Sequence, residues 1–204
     1  MNQEAINHLS KVDKKLGGLI KRIGPCTFRP KNGQSPYESL IEAVVYQQLS
    51  GKAASTILGR FKELYPGKRF PAPLNVLDTR PEILRSVGLS RAKVEAIKDI
   101  AAKTIEGMVP SSRAIRKMDD AEIMERLTAI RGVGRWTVEM LLIFKLGRAD
   151  VLPATDFGIR KAFALTFDRK DFPTPKELTI YGEKWKPFRT TAAWYLWRSL
   201  GGPY

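Results

Sequence analysis

Residues Leu127 to Asp156 read LTAIRGVGRWTVEMLLIFKLGRADVLPATD. Ile123, Leu127 and Ile130 recur at helical spacing before the turn Arg131-Gly132-Val133-Gly134-Arg135, and Val133, Trp136, Met140, Leu141 and Phe144 recur after it. Period 3.6 on both sides of a two-glycine turn predicts two short helices meeting in a hairpin. Gly132 and Gly134 suit a backbone that takes positive φ and lets another backbone come very close. Amides at the start of the second helix, with the positive end of its dipole, suit an anion such as phosphate, with Arg135 and the Thr137 hydroxyl beside them. The same glycines would also serve an ordinary helix–helix turn.

Around this stretch the chain reads as almost wholly helical, with no β-hairpin signal and room only for short extended pieces near Thr27 to Arg29. A helix is expected from Glu4 to Ile23, ended by Gly24-Pro25, and a turn-rich loop over residues 29–36. Further helices are expected at Tyr37–Gln48, Lys52–Tyr65, Pro81–Ser86, Ala92–Met108, Phe157–Phe167 and Pro187–Leu200, with a Thr174/Glu177 capping box opening another that ends near Lys184. Asp119 or Asp120 should cap the first hairpin helix. Residues 66–73 read as a proline-broken basic loop. Arg91 and Lys93, at the start of a helix where cations oppose the dipole, are phosphate contacts or solvated surface.

The 204 residues carry 35 Lys and Arg against 21 Asp and Glu, a net charge of +14 with 43% hydrophobic residues. Such a chain can bury a core, and its basic excess points to a polyanionic partner. No apolar run approaches 18 residues and no signal-peptide pattern opens the chain, so no membrane association is expected and an intracellular location is (cytoplasm or nucleoid, or the nucleus of a eukaryote). Cys26 is the single cysteine, which excludes an internal disulfide and a thiolate-held zinc or iron–sulfur site. The one histidine, His8, lies far from every motif, and a solvated or capping role is expected.

The pattern Leu127-x-x-Ile130-x-Gly132-Val133-Gly134-x-Trp136-Thr137, followed by Leu152-Pro153-Ala154-Thr155-Asp156, resembles the helix-hairpin-helix (HhH-GPD) DNA glycosylase superfamily, and within it the alkyladenine, or 3-methyladenine DNA glycosylase II, branch. The resemblance covers roughly Tyr37 to Leu200. It implies an all-α fold of two lobes with the active-site cleft between them, about 52–144 holding the hairpin and 1–51 with 145–204 forming the other. It also implies that Asp156 is the catalytic carboxylate, that Trp136, Met140 and Trp197 line the base pocket, and that Gln48, Leu49 and Ser50 join Gly132, Gly134, Arg135 and Thr137 in binding DNA. Leu49 would be the apolar wedge that fills the gap left by a flipped nucleotide. Met140 replaces a tyrosine found in one relative, which makes the pocket less aromatic. Backbone carbonyls of Thr128, Ile130 and Val133 match a family site for a monovalent cation, Na+ or K+; no other cofactor is implied.

The residues also bear simpler readings. Leu49 could staple two helices, and Asp156 could only cap the helix after it, although Thr155 could take the cap and leave the carboxylate free. A carboxylate just after a phosphate-binding hairpin, in a chain without metal ligands, suits cleavage of an N-glycosidic bond, whose oxocarbenium-like transition state an anion stabilises. Bifunctional family members carry a lysine nucleophile where this chain has Trp136, so a monofunctional enzyme is expected, acting as a monomer on duplex DNA with damaged, cationic purines. The rival reading is a non-enzymatic protein that binds damaged DNA with the same hairpin and wedge; an RNA-binding hairpin module would explain the charge but not Leu49 or Asp156.

Overall fold

The computed structural model describes residues 3–31 and 33–201, so Asn32 of the expected 29–36 loop lies outside it. Helices follow one another as α1 (Gln3–Val12), α2 (Lys14–Ile23), α3 (Pro36–Tyr46), α4 (Gly51–Glu63), α5 (Pro73–Asp78), α6 (Pro81–Ser86), α7 (Arg91–Ile105), α8 (Ser112–Ile115), α9 (Asp120–Thr128) and α10 (Arg135–Met140). A π turn (Leu141–Leu146) continues α10, and α11 (Phe157–Thr166), α12 (Pro175–Tyr181), a 3-10 turn (Gly182–Trp185) and α13 (Arg189–Ser199) complete the order. There is no strand among the described residues, in keeping with the all-α expectation. None of the described helices is long and apolar enough to cross a membrane.

The chain divides into two compact units, Lys31–Leu141 and Met1–Pro30 with Leu142–Tyr204. This moves the expected boundary from residue 51 back to residue 30. The cause is α3, which packs on α7, α4 and α10 rather than on the N-terminal helices. Its Leu40, Ile41, Val44 and Val45 are fully enclosed there.

In the hairpin-bearing unit, α7 is the central element, with α3, α5 and α6 against it. Ser90 caps it by accepting from Lys93 N. The proline-broken loop expected over residues 66–73 runs into α5, a helix not expected there, whose first turn tolerates Pro73 because its missing N–H costs nothing. Residues Ser112–Ile115 likewise form the short helix α8, capped by Ser111. Asp119, not Asp120, caps α9.

In the other unit the single N-terminal helix expected over Glu4–Ile23 is two. Asp13 interrupts it: its φ of −145° is extended, and its Oδ1 accepts from Leu16 N to cap α2. Its Oδ2 accepts the Trp185 indole N–H at 2.9 Å and pairs with Lys184 at 3.1 Å. Helices α11 and α2 pack on α13, whose Ala192, Ala193, Trp194, Tyr195 and Leu196 lie inside. Trp185, Phe163, Phe167 and Tyr181 form an aromatic cluster beneath them. The expected Thr174/Glu177 capping box is present at α12. His8 neither caps nor faces solvent fully; its ring packs edge-on against Phe188 at 5.4 Å.

Candidate nucleic-acid interface and candidate active site

The hairpin turn joins α9 to α10, and the two glycines divide its work. Gly132 has φ +75°, and a Cβ on it would stand 2.3 Å from the Ala96 Cβ of α7. It therefore needs both the left-handed backbone and the missing side chain. Gly134 has φ −92° and ψ 175°, ordinary extended backbone at the N-cap of α10, and nothing lies within 4 Å of where its Cβ would be. The expected positive φ thus holds at one glycine only. The other caps the N-terminus of α10 with open space beside it, and a helix N-terminus so left uncrowded can accept an anion.

Helix α7 holds this turn in place. Asp99 Oδ2 accepts from Arg131 N at 2.8 Å, and Glu95 pairs with the Arg131 guanidinium at 2.5 Å. Arg135, in the first turn of α10, keeps an exposed side chain whose Nε donates to Glu139 at 2.9 Å. Thr137 does not face a ligand: it is 1% exposed, and its Oγ1 accepts from Gln47 Nε2 at 2.8 Å. Its assignment to DNA binding is corrected accordingly. Trp136 is half-buried and Met140 buried, both on α10. Thr128 ends α9, Ile130 O accepts from Val133 N, and the Val133 side chain is buried.

The loop between α3 and α4 carries Gln47, Gln48, Leu49 and Ser50. Gln47 caps α3, Gln48 has φ +56°, Leu49 is 40% exposed, and Ser50 caps α4 by accepting from Ala53 N. A large apolar side chain left exposed on a loop with strained backbone is what a wedge requires and what a helix staple does not. Lys93 is neither a phosphate contact nor solvated surface. Its Nζ donates to Val45 O and Gln47 O, both at 2.8 Å, at the C-terminal end of α3. Burial holds its pKa below the usual lysine range.

In the other unit, Asp156 is itself the N-cap of α11: Oδ1 accepts from Ile159 N at 2.8 Å. The cap thus falls to Asp156 and not to Thr155, which is exposed. The same Oδ1 accepts the Trp197 indole N–H at 3.0 Å. Trp197 is 6% exposed, and its ring lies 5.6 Å from that of Phe144, which Phe28 meets edge-on. Trp197 therefore acts first on the carboxylate, a role its place as a pocket residue did not suggest. Gly158, in the first turn of α11, leaves the room: a Cβ there would be 3.0 Å from Asp156 Oδ1 and 3.5 Å from the indole. The side chain of Lys145 is buried in the π turn.

Gln47, Glu95, Asp99 and Gly158 hold these parts without being singled out by the sequence, and Lys93 joins them in a role other than the one expected. The signal for Gln47 was its neighbour, since two adjacent glutamines at a helix end cannot both face a ligand. Nothing in the spacing marked the others.

Comparison with known proteins places these parts in context. Residues 41–187 match the family model of the HhH-GPD superfamily base excision DNA repair proteins. The chain is 43% identical over 195 residues to DNA-3-methyladenine glycosylase 1 of Schizosaccharomyces pombe, covering 94% of this chain and 85% of that protein. It is 38% identical over 197 residues to the alkylbase DNA glycosidase-like protein mag2 of the same yeast, covering 96% and 92%. The solved structure of the S. pombe 3-methyladenine DNA glycosylase Mag1 in complex with abasic DNA superposes with a TM-score of 0.93 at 41% identity, covering 98% of each chain.

Proposed function

The chain belongs to the HhH-GPD superfamily of base excision DNA repair proteins, and from that premise we propose that it is a monofunctional DNA glycosylase of the 3-methyladenine glycosylase II type, hydrolysing the N-glycosidic bond of alkylated purines flipped from duplex DNA. The observation that carries this reading is the Asp156 carboxylate, oriented by Ile159 N and Trp197 Nε1 on one oxygen. Held so, it stabilises positive charge developing on the sugar and orients the attacking water. The hairpin amides and Arg135 take backbone phosphate, and Leu49 fills the space of the displaced nucleotide. Trp136, where bifunctional relatives carry their lysine, offers no amine, and Lys145 is buried.

Purines alkylated at N3 or N7 are cationic, and their charge both weakens the glycosidic bond and attracts aromatic faces. Trp136 and Trp197 are the π surfaces proposed to favour them. A monovalent cation on the Thr128, Ile130 and Val133 carbonyls suits this turn: Thr128 closes α9, where the last carbonyls lack intrahelical partners, Ile130 O keeps a second lone pair beside its bond from Val133 N, and neutral oxygens match such an ion. Bound there, it would offset phosphate charge. The enzyme is proposed to act as a monomer, inside the cell where duplex DNA is kept.

The test is release of 3-methyladenine and 7-methylguanine from methylated duplex, beside hypoxanthine from a matched duplex, with borohydride present in a parallel reaction. Faster release of the charged bases, strands that stay intact until treated with alkali, and no trapped protein–DNA adduct are expected. A trapped adduct would refute the monofunctional assignment, and binding to damaged duplex without release of any base would favour the non-enzymatic rival.

A further inference from the structure

One amide joins the wedge loop to the hairpin. Gln47 Nε2 donates to Gly132 O at 3.0 Å, in the hairpin turn itself, and to Thr137 Oγ1 at 2.8 Å, in the first turn of α10. Both N–H bonds of a primary amide are therefore spent on the hairpin. Gln47 is also the residue immediately before the left-handed Gln48, with Leu49 beyond it.

The remaining ties of this loop converge on the same support. Lys93 Nζ, from α7, holds the carbonyls of Val45 and Gln47. Two and three residues further along α7, Glu95 holds Arg131 and Ala96 fills the space under Gly132, and Asp99 holds Arg131 N. One helix thus carries the loop and the turn, and the Gln47 side chain closes the triangle. A non-glycine residue in left-handed backbone is strained and persists where its surroundings over-determine it.

The geometry points to Gln47 as a positioning residue, a strut that sets the exposed Leu49 side chain at a defined distance from the phosphate-binding turn, so that seating the hairpin on the backbone delivers the wedge to the stack. Gln47 need not touch DNA for this. Thr137 is the far anchor of the strut, which accounts for a buried hydroxyl at a helix start where an exposed phosphate donor is the sequence expectation. The inference rests on reading Leu49 as the wedge of a base-flipping glycosylase.

Its consequence is a specific pattern of loss. Removing the strut leaves the hairpin amides in place, so affinity for undamaged duplex, set by phosphate contacts, holds. Affinity for duplex carrying an abasic-site analogue, where the wedge is engaged, falls. Loss of both hydrogen bonds should lower that affinity roughly tenfold.

The experiment is a double-mutant cycle of Gln47→Met, which keeps the volume and removes both donors, with Leu49→Ala. Affinity is measured on two duplexes of one sequence, undamaged and carrying a tetrahydrofuran abasic analogue, with 2-aminopurine fluorescence opposite the site reporting unstacking. Thr137→Val, which removes only the hydroxyl anchor, is the second approach should Gln47→Met melt early. Expected are a roughly tenfold loss on the abasic duplex for Gln47→Met, a smaller loss of the same kind for Thr137→Val, less than about twofold change on undamaged duplex, and almost no further loss when Gln47→Met is added to Leu49→Ala. Equal losses on both duplexes, or full additivity with Leu49→Ala, would overturn the strut. If Leu49→Ala discriminates between the duplexes and Gln47→Met does not, the strut alone fails; if Leu49→Ala itself lowers both equally, the wedge reading fails and takes the strut with it.

Discussion

Asp13 and Asp156 are built from the same parts and do different work. Each is the N-cap of a helix, accepting from the backbone N–H three residues on, and each accepts an indole N–H from a tryptophan distant in sequence. At Asp13 the donors are spread over both oxygens, Leu16 N on one and Trp185 Nε1 with the Lys184 ammonium on the other, and the residue is 4% exposed. At Asp156 the Ile159 amide and the Trp197 indole converge on Oδ1, and the residue stays half-buried. The first arrangement closes a buried charge with a countercharge and pins α2 to the aromatic core. The second fixes the direction of a carboxylate without enclosing it. A capped aspartate with an indole donor is thus a stability device or a reactive one according to what surrounds it.

The sharpest way to break this comparison is Asp156→Asn. Asparagine caps as well as aspartate and its carbonyl still accepts from Ile159 N and Trp197 Nε1, so the melting temperature should hold. Base excision, which needs the charge, should fall by roughly 10²–10⁴-fold in single-turnover assays. An unchanged excision rate would reduce Asp156 to the same structural part as Asp13.

Asp13→Ala should show the opposite split. It loses a cap worth about 1 kcal/mol and strands the buried Trp185 N–H at a further cost of about 2 kcal/mol, so calorimetry should record a melting temperature lower by roughly 6–12 °C. Below that melt, excision per folded molecule should be near wild type. Trp197→Phe is the smallest of the three. It keeps a ring against Phe144 and removes one hydrogen bond to a carboxylate, so excision should fall roughly tenfold with duplex affinity unchanged. A loss as large as that of Asp156→Asn would mean that the indole does more than orient the carboxylate and stack on the base.

The hairpin, the helical fold and the candidate carboxylate were legible because each leaves a local trace: period 3.6 apolar spacing, paired glycines in a turn, and an aspartate just before a helix. Thr137 and Lys93 were misjudged for the same reason. At a helix start, a hydroxyl and an ammonium read as groups for phosphate, and only the return of the α3–α4 loop shows that Thr137 receives Gln47 and that Lys93 closes the end of α3. The single helix expected over Glu4–Ile23 failed similarly, since a 172-residue separation hides the Trp185 donor that holds one oxygen of Asp13 while the other caps α2. The lobe boundary moved because α3 carries apolar residues that suit either unit, and contact with α7 decides between them.

By itself the sequence determined the helical character of the chain, the hairpin turn and the polyanionic character of the partner, because periodicity, glycine stereochemistry and net charge are properties of neighbours along the chain or of the chain as a whole. Tertiary structure alone decided which glycine of the turn is conformational and which leaves open space, which side chains hold the wedge loop, and that the indole of Trp197 meets Oδ1 of Asp156 across 41 residues. Those are matters of distance between segments far apart in the chain. Hydrogen bonds and van der Waals contacts act over a few ångströms in space and carry no signature in spacing along the sequence.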